Sequence, residues 1–256
     1  MRKIIVDIGH GVDTYPPSKG IGDFAEFTFN NAVGKLAKEL AEINGLEVIL
    51  TQPLEAKEVP LRDRINNINR SGAELCISIH ANAGPSTAQG HEFWYWYNKT
   101  DSKKLATFAD TNAIALLTNK RRGIRESEYK NYNFGILRET KIPTIIAEFG
   151  FFTNQQELKL LQSVDFQIQC AKVIVKTACD FLQIPFSSVI KSREQEIEIK
   201  KKKEIEAWKI KGLKELHEAG LVNDFDEWAA KIDENSPNWL TFALMNNIYQ
   251  ELKKKK

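Results

Sequence analysis

Cysteine is scarce: three residues in 256, with no Cys-X-X-Cys pair, so neither a disulfide framework nor a thiolate metal site is on offer. Cys76 lies in an apolar run, and Cys170 and Cys179 are nine apart on a helical stretch; all three read as reduced core thiols. No apolar run reaches the roughly 18–20 residues of a membrane-spanning helix. Charge of one sign is not in excess: 36 basic and 34 acidic residues leave a net +2, which argues against a dedicated nucleic-acid binder. With 14 Gly and 8 Pro the chain is neither collagen-like nor of low complexity. A Gly-X-Ser-X-Gly elbow, a P-loop and a Gly-rich dinucleotide turn are all missing, so no nucleophilic-serine or nucleotide chemistry is indicated. Met1-Arg2-Lys3 runs straight into a short apolar stretch, too short for the core of a signal peptide, so we expect no export signal.

What is present is an alternation. Val6–Ile8, Leu46–Leu50, Leu75–Ile79, Phe93–Tyr97 and Thr144–Phe149 are short runs rich in Ile, Val and aromatics, and predict strands. Between and after them, Phe29–Ile43, Leu61–Arg70, Lys103–Leu117 and Phe166–Leu182 carry helical periodicity. Strands alternating with helices predict an α/β fold: a largely parallel, twisted sheet with helices on both faces. That domain is expected over 1–185, ending at Ile184-Pro185. Residues 186–204 fall in a charged, mixed-sign linker, and 205–256 predict a small all-α domain. In that tail Gly220 can end one helix, while Asn223 and Ser236-Pro237 can start two more. Trp208, Leu213, Leu216, Trp228 and Trp239 are candidates for its core. About 50 residues is marginal for a free-standing fold, so aromatic filling is needed.

Three apolar runs end in ionisable residues: Val6-Asp7-Ile8-Gly9-His10, Ile77-Ser78-Ile79-His80 and Ile145-Ile146-Ala147-Glu148. In an open α/β sheet ligands gather at the carboxyl ends of the strands. If these strands are parallel neighbours, His10, His80 and Glu148 meet at one edge. Two imidazoles and a carboxylate suit Zn²⁺ with a position left for water. Taken singly, a strand-end histidine is more often a hydrogen-bonded structural residue than a ligand; three such endings in one chain favour a site. Glu26, opening an amphipathic helix, fits a carboxylate at a helix N-terminus as well as a ligand, and Asp23 competes with it. Glu148 is deep in an apolar run, where a carboxylate needs a partner or a purpose. His91 and the alternating Trp94 and Trp96 read as packed strand residues, and His217 as a tail-helix residue. Asp7 fits either the orientation of a ligand or a loop cap.

Taken together, Val6-Asp7-Ile8-Gly9-His10-Gly11, Glu26, Ser78-Ile79-His80-Ala81-Asn82 and Glu148-Phe149-Gly150-Phe151-Phe152-Thr153-Asn154 resemble the zinc-dependent N-acetylmuramoyl-L-alanine amidases, and among them the catalytic domains of phage and prophage endolysins. Leu61-Arg62-Asp63-Arg64, Gln89-Gly90-His91-Glu92 and Leu137-Arg138 lie at matching places, and the likeness runs over about residues 1–182. The resemblance implies zinc held by His10, Glu26 and His80, with Glu148 as general base and then general acid. The bond cut would join the lactyl group of N-acetylmuramic acid to the L-alanine of the stem peptide. Asn82 and Asn154 would touch substrate or orient a ligand. It further implies peptidoglycan as partner, and a tail that binds a wall polymer. The enzyme would be made in the host cytoplasm and reach the wall after the membrane is breached. A bacterial autolysin of the same chemistry, or a non-catalytic wall-binding protein on the same fold, are the alternatives.

Overall fold

The computed structural model describes residues 1–188 and 210–220, with 246, 249, 250 and 252–254 near the C-terminus. The chain divides into two compact units, Met1–Val189 and Ile190–Lys256.

In the first unit the strands are β1 (Arg2–Ile8), β2 (Gly20–Ile21), β3 (Phe24–Ala25), β4 (Leu46–Leu50), β5 (Cys76–Asn82), β6 (His91–Trp96), β7 (Arg121–Ser127) and β8 (Thr144–Phe151). The helices are α1 (Glu26–Ile43), α2 (Leu61–Arg70), α3 (Thr100–Leu116), α4 (Gly135–Glu139), α5 (Gln155–Leu161) and α6 (Val164–Leu182). β2 and β3 form a small antiparallel hairpin. The other six strands make one sheet in the order β4-β1-β5-β8-β6-β7. Every neighbouring pair is parallel except β6 with β8, which run antiparallel. The expected α/β class holds, with that one reversal.

The buried strands have little polar relief, as expected where helices cover both faces. Ile4, Val6, Ile8, Leu75, Ile79, Phe93, Ile145 and Phe149 are essentially inaccessible. On one face α1 and α3 pack on the sheet, and α6 packs on both of them. On the other, α2 and α4 close a cluster of Ile5, Ile65, Ile68, Cys76, Trp94, Trp96, Leu137 and Ile146. Each fully buried Ile, Leu or Phe contributes about 1.5–3 kcal/mol relative to exposure, and these two layers hold the sheet's registers. Lys99 anchors α4: its Nζ donates to the carbonyls of Leu137, Arg138 and Thr140 at 2.7, 3.1 and 2.5 Å. That places a cation on the free carbonyls of a helix end.

Five elements differ clearly from the sequence expectation. β7 carries Arg121, Arg122 and Arg125 on the sheet's edge, and charge of that kind is what an edge strand uses to discourage further pairing. α4 and α5 are five and seven residues long, too short for periodicity to declare them. α1 starts at Glu26 rather than Phe29, and α3 at Thr100 rather than Lys103. All three cysteines are free and buried, Cys170 and Cys179 on different sides of α6.

Within the second unit, residues 210–218 are helical, Leu213 and Leu216 are buried, and Gly220 follows with φ 70°. Asn246 and Gln250 donate to Glu215 Oε2 at 3.0 and 3.3 Å. The expected helix starts at Asn223 and Ser236, the charged linker, and Trp208, Trp228 and Trp239 lie outside the described residues.

A buried ion pair ties the two layers together. Asp7, on β1, is fully buried and accepts both oxygens' contacts from Arg64 Nη1 of α2 at 3.0 Å. Ser78 and Thr51 each donate to it at 2.5 Å. Burial works against the charge, yet Arg64 and the two hydroxyls outweigh it and hold the carboxyl below its usual range. A depressed carboxylate adds stability above its unfolded-state pKa and loses it as pH falls through the folded one. Arg64→Met should leave this charge without its ion partner and destabilise the fold by about 3–5 kcal/mol in urea denaturation at neutral pH. A loss under about 1 kcal/mol would show the pair to be dispensable.

Candidate metal and catalytic site

β1 and β5 are adjacent and parallel, so their carboxyl ends lie side by side. Just beyond β1 the chain turns sharply at His10, whose φ of 64° puts a bulky residue in the left-handed region. The turn is held from several sides. Asn30 Nδ2 donates to the Gly9 carbonyl at 3.0 Å, Gln52 Nε2 donates to the His10 carbonyl, and the Gly11 N–H donates to Thr14 Oγ1 at 2.9 Å. Such over-determination is what keeps an unfavourable backbone in place. Gly9 is needed for a different reason: a Cβ there would lie 2.3 Å from the ring of His80.

Glu26 is the first residue of α1 and is almost wholly buried. Its Oε1 lies 2.8 Å from His80 Nδ1 and accepts the Ala81 N–H at 3.2 Å, while its Oε2 is 3.3 Å from His10 Nε2. The two rings stand edge to face, 5.0 Å apart. One donor atom from each of His10, Glu26 and His80 falls within 4.8 Å of the others. The side chains of His10 and His80 are 12% and 16% exposed, so the group opens on one side and is closed on the rest. Burial disfavours the charge on Glu26, but its interactions with His10 and His80 prevail and hold its carboxyl well below the usual range. His10 Nε2 is buried, with Glu26 Oε2 at 3.3 Å and no well-formed hydrogen bond among the described residues. A lone pair aimed inward beside a buried carboxylate is what a divalent cation satisfies.

Glu148, on β8, is in register with His80 on one side and Glu92 of β6 on the other. Its Oε2 is buried with no hydrogen-bond partner among the described residues. Burial, then the charges of Glu26 and Glu92, push its pKa well above the ordinary 4.5, with Lys19 opposing weakly. Both effects favour the protonated form, so the ionised carboxylate is a stronger base here than in water.

Behind His10 stands a second carboxylate. Glu58 Oε1 is 3.8 Å from His10 Nδ1 and 3.5 Å from Arg64 Nη2, and Thr14 Oγ1 donates to its Oε2 at 3.0 Å. The buried Asp7 is therefore connected to the site through Arg64 and Glu58.

His10, Glu26, His80 and Glu148 are brought together. Asp23 is exposed and stands outside the group of three. Asn82 reaches the site's edge, donating to Glu92 Oε1 at 2.9 Å. Asn154 has both ends of its amide engaged: it accepts from the N–H groups of Gln156 and Glu157 at the start of α5, and donates to Ser86 O at 2.9 Å. His91 is buried elsewhere, its Nδ1 2.8 Å from Asn119 Oδ1. The residue that sequence reasoning passed over is Glu92. It is buried and accepts from Asn82, from Trp94 Nε1 at 3.1 Å and from Arg122 Nε at 2.6 Å, with Arg125 Nε 3.4 Å away. One acid within an otherwise aromatic strand was the available signal, since burying a carboxylate is costly unless it is paired.

Two imidazoles, a shared buried carboxylate and an acid of raised proton affinity at a sheet's carboxyl edge are the parts of a metal-assisted hydrolase. Residues 4–179 match the N-acetylmuramoyl-L-alanine amidase family, and the chain belongs to it. It is 31% identical over 167 residues to the N-acetylmuramoyl-L-alanine amidase CwlM of Bacillus licheniformis, covering 65% of this chain and 63% of that one. It is 32% identical over 156 residues to a probable cell wall amidase, LytH, of Staphylococcus saprophyticus, covering 60% and 49%. The chain thus spans about half to two thirds of these relatives' length. Among solved structures it is similar to the catalytic domain of CwlV, an amidase from Bacillus (Paenibacillus) polymyxa, with a TM-score of 0.66 and 29% identity over 72% of this chain and all of that one.

A carboxyl whose folded pKa is raised penalises folding as pH climbs above its unfolded value, because only the unfolded chain gives up the proton freely. In the chelated protein, Glu148→Gln should therefore match the parent's stability near pH 4 and exceed it at pH 7–8. Parallel Tm-versus-pH curves would show that Glu148 is not held protonated.

Proposed function

We propose that this chain hydrolyses the amide between the lactyl group of N-acetylmuramic acid and the L-alanine of the peptidoglycan stem, with zinc held by His10, Glu26 and His80. The observation that carries the reading is the cluster of His10, Glu26 and His80, with Glu148 in register with His80 on the neighbouring strand and its carboxyl raised in pKa. Zinc bound by these three residues would polarise the lactyl carbonyl and lower the pKa of water toward about 7. Glu148 takes the proton from the attacking water and returns it to the leaving amine as the C–N bond breaks. A carboxyl pushed upward in pKa favours the second of these transfers. Glu92, fixed by its donors, places a negative charge beside Glu148 that raises its affinity for the proton it takes. Asn82 links this charge to the end of β5, where substrate would enter.

The wider role we propose is that of a phage or prophage endolysin, made in the host cytoplasm and acting once the membrane is breached. The likeness to a probable cell wall amidase favours a second reading, a bacterial autolysin of identical chemistry. Following the protein through growth separates the two: an endolysin stays inside until lysis, an autolysin is found on the wall of intact cells. For the second unit we propose wall attachment, which raises the local concentration of the catalyst at a repetitive surface.

Glu148→Gln should lower turnover by about 10²–10⁴ while keeping zinc and fold; a near-native rate would remove Glu148 from the mechanism. His10→Ala and His80→Ala should each lose zinc in metal analysis, and full occupancy in either would take that residue out of the ligand set. Digested peptidoglycan should yield free stem peptides and intact glycan by mass spectrometry. Cut glycan or shortened stems instead would point to a different bond.

A further inference from the structure

Beside the metal group, one face of β6 and the segment that covers it carry an arrangement that the hydrolytic step does not use. Side chains alternate along a strand, so Glu92, Trp94 and Trp96 share one face. Both tryptophans are buried, yet each supports an exposed tyrosine. Tyr132 lies 4.5 Å from the Trp94 ring and is 58% exposed; Tyr129 lies 5.1 Å from Trp96 and is 65% exposed. Phe134 stacks beside Tyr132, at 6.1 Å and 29°.

The segment that presents these rings is tightly built. Glu128 and Asn131 exchange backbone hydrogen bonds at 2.9 and 3.2 Å. The Tyr132 carbonyl accepts from Ser127 Oγ and from the Phe134 N–H. Tyr132 itself has φ 51°, a left-handed backbone that a bulky residue adopts only at a cost. A loop that merely closed the chain would put glycine or asparagine there, and both Asn131 and Asn133 are adjacent. Strain spent to hold an aromatic ring in water indicates a surface with work to do.

The row begins at the catalytic group. Trp94 Nε1 donates to Glu92 Oε1, and Glu92 is the cross-strand neighbour of Glu148. Its far end has a polar rim: the Arg138 guanidinium lies 5.9 Å from both the Trp96 and Tyr129 rings and bonds Asn133 Oδ1. Flat rings edged by donors suit a ligand with apolar C–H faces and a polar periphery. The two arms of the proposed substrate differ in this respect. The stem peptide brings carboxylates, which the guanidiniums of Arg122 and Arg125 answer better. The glycan brings uncharged N-acetylated rings, whose acyl carbonyls can accept from Arg138.

We propose that Tyr132 and Tyr129, seated on Trp94 and Trp96, form a ledge on which the N-acetylated glycan strand of peptidoglycan stacks. The proposal rests on the amidase reading and names where one arm of that substrate lies. The test measures binding without turnover, so its failure is distinct from failure of the hydrolytic assignment. In the full-length Glu148→Gln protein, the N-acetylglucosamine tetramer and a free stem tripeptide are titrated calorimetrically. The tetramer should bind, and Tyr129→Ala with Tyr132→Ala should weaken it at least tenfold. Tyr129→Phe with Tyr132→Phe should restore it, since the ring and not the hydroxyl makes the contact. The tripeptide's affinity should not change. A parent that does not bind the tetramer, or a double alanine variant that binds it as well as the parent, would overturn the proposal. So would a loss confined to the tripeptide, which would make the ledge a peptide rest.

Discussion

One buried carboxylate holds the site together. Glu26 opens α1 beneath the carboxyl ends of β1 and β5, and its two oxygens face two imidazoles carried by different strands. Without those histidines a charge so deeply buried would be prohibitive. With them, its ionised form is favoured and the three side chains are drawn into one small volume. The glycine before His10, the left-handed turn at His10 and the parallel register of β1 with β5 all serve the same closeness.

The same electrostatic economy extends outward. Each buried acid around the sheet has a named counterpart: Asp7 has Arg64, Glu92 has Arg122 and Arg125, and Glu26 has the histidines. Glu157 accepts the N–H groups of Gly90 and Phe151 instead. Glu148 differs: its Oε2 has no hydrogen-bond partner among the described residues, and burial with the charges of Glu26 and Glu92 favours its protonated form. An acid left in this state amid satisfied ones is the group suited to moving a proton, and shifted carboxyls of this kind concentrate where chemistry is done. The structure thus separates acids that hold charge from the one that exchanges a proton.

Much of this was legible in the residues. Runs of Ile and Val ending in His80 and Glu148 marked strands and their carboxyl ends, because buried parallel strands need nearly continuous apolar sequence. α2 and α6 declared themselves by periodicity. β7 did not, since Arg121, Arg122 and Arg125 make an edge strand look like a solvated loop. Glu92 hid among aromatics, and its meaning depends on Arg122, Arg125 and Asn82, none of which neighbours it closely along the chain. Nothing in the local sequence marks Tyr129 and Tyr132; the fold sets them against Trp96 and Trp94.

By itself, the order of residues determined the layered α/β class, the free buried thiols, and the donor types offered to a metal, because each follows from local patterning or from side-chain chemistry. The tertiary structure alone decided that one strand pair runs antiparallel, that Glu148 faces Glu92 across it, and that Arg122 and Arg125 reach Glu92. Those facts rest on contacts between strands and helices distant in sequence. Their energies depend on burial and on which charge stands opposite, quantities that no stretch of chain possesses before it is packed.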